Sequence, residues 1–200
     1  MKRAPRTAAC LLVAALLGAV QPACAEEVPP QRIDDALVGW PLAQFALRDQ
    51  HGKPFTNEQL VGKWTFVLLG DTRCGAPCTA SLSALAGLTR RITGTAKIPQ
   101  VLFVSLVPER DTAAVLAAHL AAFDPHFVGA SGAPEMLAAL LDDLLPALAP
   151  AAAAGRGGRA RAYTGSLFLV GPDGALRGEF LPPFDVPRLT ATYLKVRLRG

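Results

Sequence analysis

The chain has 200 residues, 51% of them hydrophobic, with a formal net charge of +4 and a pI near 9.1. That length is enough for one domain with a sizeable core. Its basic excess is concentrated at the N-terminus, which removes the main argument for a nucleic-acid partner.

Lys2, Arg3 and Arg6 precede an apolar run from Cys10 to Val20, and Ala23-Cys24-Ala25 forms a small-x-small cleavage site before Glu26. This is the pattern of a secretory signal over residues 1–25, with an apolar run too short to span a bilayer. An uncleaved anchor is the alternative reading. A lipoprotein signal at Cys24 fits less well, because Gln21 and Pro22 stand where apolar and small residues are wanted. Cleavage removes three of the 20 Lys and Arg, none of the 16 Asp and Glu, and two of the four Cys. The expected product is a nearly neutral periplasmic chain without a stable membrane span, in a compartment where paired thiols oxidise.

Glu26 to Asp35 is polar with two prolines, and residues 26–40 are expected to form a flexible leader before a single domain over 41–200. Phe45 to Phe55 predicts two short strands around a Gly52 turn. Trp64 to Gly70 is a continuous apolar run expected to form a buried central strand. From Thr79, Leu82, Leu85, Ala86 and Ile92 share one face of a helix that Gly94 ends. Val101 to Val107 predicts a second buried strand closed by Pro108. Asp111 and Thr112 can cap a helix with Val115, Leu116, Leu120 and Phe123 facing inward.

A short strand over Phe127 to Gly129 and a helix from Pro134 to Leu145 follow. Residues 146–161, rich in Ala, Gly and Arg, read as a mobile loop inserted in the domain. Ser166 to Val170 and Ala175 to Phe180 flank Gly171-Pro-Asp-Gly174 as a late hairpin. Asp185 and Pro187 open a last helix with Leu189, Tyr193, Leu194 and Leu198 as apolar contacts. Alternating strands and helices make the class α/β, a mixed sheet flanked by helices, with an antiparallel hairpin at one edge.

Cys74-Gly75-Ala76-Pro77-Cys78 lies between the first buried strand and a helix start. Cysteines four apart at a helix N-terminus can bring both sulfurs to one side, for a disulfide or a shared metal. The helix N-terminus and Arg73 favour a thiolate, whereas Asp71 opposes it. A purely structural staple is the weaker reading, because so small a ring constrains the unfolded chain little. A zinc site lacks a second Cys/His cluster.

Six segments in order resemble the SCO/SenC family, thioredoxin-fold proteins associated with assembling the copper centre of cytochrome c oxidase. They are Asp49-Gln-His-Gly-Lys-Pro-Phe55, Leu60-Val-Gly-Lys-Trp64, Cys74-x-x-x-Cys78, Phe103 to Thr112, Phe123-Asp-Pro-His-Phe-Val-Gly129 and Gly171-Pro-Asp-Gly174. The resemblance implies a thioredoxin-like fold from about Phe45 to Leu198. It also implies copper held by the two cysteines and a histidine shortly before the late hairpin. The register puts Tyr163 at the histidine position, and Val107 stands where an acidic residue is usual.

The histidines are His51, His119 and His126. His51 reads as solvated, His119 as a structural or surface residue, His126 as a weak ligand candidate, and Met136 as core. Tyr163 is a poor Cu(I) ligand.

Three functions follow. The first is a thiol–disulfide oxidoreductase that requires no cofactor, with Cys74 attacking and Cys78 resolving, serving oxidase copper-centre assembly or periplasmic redox homeostasis and acting on the cysteine pair of an oxidase subunit or a copper carrier. The second is a Cu(I) chaperone in which Cys74 and Cys78 bind copper with a ligand from elsewhere or from the partner. The third is a non-enzymatic docking module. Arg73, Pro77 and Tyr163 are the expected neighbours of the pair.

Overall fold

A computed structural model describes residues 39–94, 97–144 and 165–199. The expected signal, most of the leader, the 146–161 loop and Tyr163 lie outside the described residues. The strands are β1 (Trp40–Pro41), β2 (Ala46–Asp49), β3 (Pro54–Thr56), β4 (Thr65–Gly70), β5 (Gln100–Ser105), β6 (Val128–Ser131), β7 (Leu167–Val170) and β8 (Ala175–Phe180). The helices are α1 (Ala76–Arg91), α2 (Ala113–Ala121), α3 (Pro134–Leu144) and α4 (Val186–Arg197).

The strands form one sheet in the order β1-β8-β7-β4-β5-β6-β2-β3. β4 runs parallel to β5, and β5 parallel to β6, each pair joined through a helix; β7 lies antiparallel on the other side of β4. β4 is thus central, as its unbroken apolar run predicts. Both faces of such a strand are covered, so successive side chains enter different cores. Phe66, Leu68, Val101, Phe103, Leu167 and Leu169 pack with α1, α2 and α4. Val67, Leu69, Leu102, Val104, Phe168 and Val170 point the other way, toward α3 and the β2–β3 hairpin.

The family-like segments act as ties between elements. Asp49 Oδ1 accepts from the backbone N–H groups of His51 and Lys53, closing the first hairpin turn. Gln50 donates to Phe127 O and accepts from Gly129 N, clamping that hairpin to β6. Gly62, at φ +77°, donates to Pro172 O in the β7–β8 turn. The positive φ explains the glycine there, since other residues adopt it at a cost.

Several local expectations change. The paired chain begins within the range read as leader, with Gly39 N donating to Leu176 O. The hairpin β7–β8 is flanked by two-residue β1 and is not itself the sheet edge. Ile92 is the extended residue after α1, not part of it. Val115 is 40% exposed and Leu198 85% exposed, so neither is core. Both side chains reach solvent, and periodicity cannot tell which side of a short helix a neighbour will cover.

An aromatic cluster of Phe66, Phe180 and Tyr193 lies in the core layer shared with α1 and α4. The Phe66 ring lies 5.5 Å from those of Phe180 and Tyr193. Replacing Phe66 with Ala should cost about 3–5 kcal/mol of folding free energy in urea denaturation. Val115→Ala should stay within about 0.5 kcal/mol of the parent.

Candidate functional site

The site is built at the carboxyl end of β4, where ligands of open α/β sheets commonly bind. After Gly70, Asp71 turns the chain: its Oδ1 accepts from Arg73 N at 2.8 Å and its carbonyl accepts from Cys74 N at 3.1 Å. Gly75, at φ +74°, is the N-cap of α1 and swings the chain into the helix. α1 therefore starts at Ala76, three residues before the apolar periodicity begins, and Cys78 occupies its first turn.

Cys74 and Cys78 form a disulfide with their Cα atoms 5.9 Å apart. Their environments differ. Cys74 is half-buried, whereas Cys78 is 2% exposed. A Cβ on Gly70 would come within 2.8 Å of Cys78 Sγ and 3.4 Å of the Phe103 ring. Gly70 is therefore what lets the inner sulfur rest on the end of β4. As a thiolate, Cys78 would lie among the unpaired N–H groups and the positive end of the α1 dipole.

A buried carboxylate holds the cysteine turn. Asp111, 2% exposed, accepts from Thr72 N (2.8 Å), Thr72 Oγ1 (2.7 Å), Ser105 Oγ (2.7 Å) and Arg110 Nε (3.3 Å). Thr112 alone caps α2, through a bond from Val115 N. Asp111, read as a second cap, instead joins the exits of β4 and β5. Burial would raise its carboxyl, but the bonds from Thr72, Ser105 and Arg110 outweigh that and hold it below the ordinary 3.8. Arg110 also pairs with Asp71, which neutralises the carboxylate that opposed a thiolate.

The segment entering β7 closes the other side. Ser81, fully buried, sits with its hydroxyl 2.9 Å from Pro77 O and 2.7 Å from Gly165 O. A Cβ on Gly165, at φ +88°, would stand 3.2 Å from Pro77 Cβ and 3.2 Å from Pro77 O. Gly165 is thereby locked to the first turn of α1, while Tyr163 lies outside the described residues. Arg73 and Pro77 are exposed on the surface around the disulfide.

The histidine contacts fall on residues other than the cysteine pair. The His119 ring packs 5.9 Å from Phe103 and 5.6 Å from Phe123. His126 is bonded to Asp124, and His51 is exposed on the first hairpin. Met136 packs against the core on the α3 face. Among the described residues no group of three or more His, Cys, Asp or Glu forms a metal cluster. The donor set the site does offer, two thiolates after reduction, suits soft Cu(I).

Residues 41–196 match the SCO1/SenC family. The chain belongs to the SCO1/SenC family. It is 32% identical over 149 residues to a Stutzerimonas stutzeri protein named "Putative copper-binding protein", covering 74% of this chain and 72% of that one. It is 28% identical over 165 residues to the human "Protein SCO1 homolog, mitochondrial", covering 80% of this chain but only 51% of the human protein. The structure of Bradyrhizobium japonicum ScoI with copper bound superposes with a TM-score of 0.61 at 26% identity, covering 78% of this chain and 99% of that one. The thioredoxin-like SCO fold and family membership expected from the sequence motifs are thus established.

Gly70, Thr72, Ser81, Ser105 and Gly165 support the site but escaped the sequence reading. Only Gly70, a glycine closing an otherwise apolar strand, carried a local signal. Gly70→Ala should cost the oxidised protein about 1–3 kcal/mol in denaturant unfolding, because Cβ and Cys78 Sγ cannot both keep their places. Asp111→Ala should cost about 2–4 kcal/mol by stranding the Thr72 and Ser105 donors.

Asp111 also sets a pH dependence. Its folded pKa lies below its unfolded value, so its contribution is complete above pH ~4 and is lost as pH falls through the folded pKa. Unfolding of the parent followed from pH 6 down to 2 should show that loss, and Asp111→Asn should lack this component.

Proposed function

We propose that the mature chain is exported to the periplasm and exchanges disulfides through Cys74 and Cys78 during assembly of an oxidase copper centre. The observation that carries this reading is the asymmetry of the pair: a half-exposed sulfur outside the helix and a buried one in its first turn. In the exchange, the Cys74 thiolate attacks one sulfur of a partner disulfide and the other partner sulfur leaves as a thiolate. The Cys78 thiolate then attacks Cys74 Sγ, releasing the second partner thiol and forming the Cys74–Cys78 disulfide. Two electrons pass to the partner, and the reverse sequence oxidises it; the two reduction potentials set the direction.

The site prepares for these steps. The helix N-terminus lowers the cost of a thiolate at Cys78, and the Asp71–Arg110 pair removes an opposing charge. The partner class that fits is a cysteine pair on an oxidase subunit or on a copper carrier. Among the described residues no helix is long and apolar enough to cross a membrane.

A second reading is favoured by the copper-bound ScoI relative: Cys74 and Cys78 carry Cu(I) as cargo, with a third ligand coming from the partner. Two thiolates alone would close the ion incompletely, which favours handing it on. In either reading, Arg73 and Pro77 form the surface a partner meets.

The test combines redox trapping with metal titration. Cys78→Ser should trap a mixed disulfide through Cys74 with a small-molecule disulfide, and Cys74→Ser should trap about tenfold less or slower. Anaerobic Cu(I) titration of the reduced protein against a competing chelator should show weak binding. Tight stoichiometric copper that disappears in Cys78→Ser would establish the chaperone reading instead. Failure of both, with a Cys74→Ser strain still assembling its oxidase, would leave the docking module.

A further inference from the structure

The end of the molecule opposite the disulfide holds a second candidate site, roughly 20 Å away by the length of β4. A cleft of about 860 Å³ opens there between the starts of β4 and β5, the approach to β6, the β7–β8 turn and the last turns of α1 and α4. Its volume falls in the range of small-molecule sites, and no residue of the cysteine site lines it.

The chemistry of its lining is one-sided. Trp64, Phe127 and Tyr193 are buried aromatic walls, and Ile98 is left 42% exposed beside them. Lys63, Arg90 and Arg197 supply three cations against one carboxylate, Asp124. That carboxylate is already engaged: it accepts from His126 N at 2.9 Å, pairs with His126 Nδ1 at 2.9 Å and lies 3.4 Å from Thr89 Oγ1. Burial would raise it, but the bonds from His126 hold it below the ordinary value, so it stays ionised and committed. Tyr193 adds no anion, since burial pushes its phenol up to about 12 and its hydroxyl donates to Lys97 O at 2.8 Å.

Lys63 and Arg90 are exposed, with no ion pair or side-chain hydrogen bond among the described residues. Two such cations hold a simple ion weakly in water, and an apolar surface alone selects nothing. Together they select a molecule that carries both features.

We propose that this cleft binds a small organic anion with an apolar body. A carboxylate, phosphate or sulfonate head lies between Lys63 and Arg90, and a hydrocarbon or aromatic body lies on Trp64 and Ile98. This site goes beyond disulfide exchange and stands whether or not that reading holds.

The test is a titration of the oxidised protein with decanoate, followed by 1H–15N NMR at the Trp64 indole N–H. That resonance should move saturably, while acetate and decanol should bind about tenfold more weakly or worse. The exposed double variant Lys63→Glu, Arg90→Glu should keep its unfolding transition and lose about tenfold in decanoate affinity. Ile98→Ser should weaken binding with the charges intact. Cosedimentation with phosphatidylglycerol vesicles that the double variant loses would assign the anion to a lipid headgroup. Decanoate binding without cosedimentation would assign it to a free amphiphile. Equal affinity for decanol, decanoate binding indifferent to charge reversal, or shifts that spare Trp64 would overturn the proposal.

Discussion

The arrangement around the disulfide depends on the burial of one carboxylate. An ionised aspartate with 2% exposure is tolerated only if donors surround it. Asp111 finds them in Thr72 after β4, in Ser105 at the end of β5 and in Arg110 beside it. Satisfying that charge pulls the exits of the two central parallel strands together. The turn that delivers Cys74 then has one place to go, and Arg110 extends the arrangement to Asp71 at the root of that turn.

Packing on the far side of the cysteines is equally demanding. β4 ends in a residue without a side chain so that Cys78 can sit on it, and α1 begins without a side-chain cap. The Ser81 hydroxyl binds the first turn of α1 to the chain entering β7. The disulfide is thus held from three directions: the strand beneath, the Asp111 cluster beside it and the Gly165 segment above Pro77. Among the described residues, Cys74 and the exposed Arg73 and Pro77 remain for a partner to reach. A fixed inner sulfur and an accessible outer one are what ordered exchange requires.

Some of the family-like segments serve the frame, and others form the cysteine site. Asp49, Gln50, Gly62 and the Gly171–Gly174 turn make backbone ties that hold hairpins to the central strands. Those ties hold the frame without touching the cysteine pair. The donor set is a separate matter. His119 packs between two phenylalanine rings and His126 bonds Asp124, and among the described residues the paired thiols are the soft donors at the carboxyl end of β4. Charge is likewise divided, with uncommitted Lys63 and Arg90 at the end away from the disulfide.

Elements with local signals were legible in the amino-acid order alone. The apolar runs of β4, β5 and β7, the hairpin turns at Gly52 and Gly171–Gly174, the Asp185 cap and the spacing of Cys74 and Cys78 each follow from neighbouring residues. Motif order added the family and its fold. What it could not supply was any relation between distant segments. Asp111 read as a helix cap because its partners Thr72 and Ser105 are brought to it only by parallel pairing of β4 and β5. Ser81 and Gly165, 84 residues apart, meet only because β7 returns beside β4. Val115 and Leu198 read as core because helical period reports a face, whereas burial needs another layer against that face. Tertiary structure decided these points because hydrogen-bond satisfaction and close packing are properties of pairs, and the pairs are set by topology.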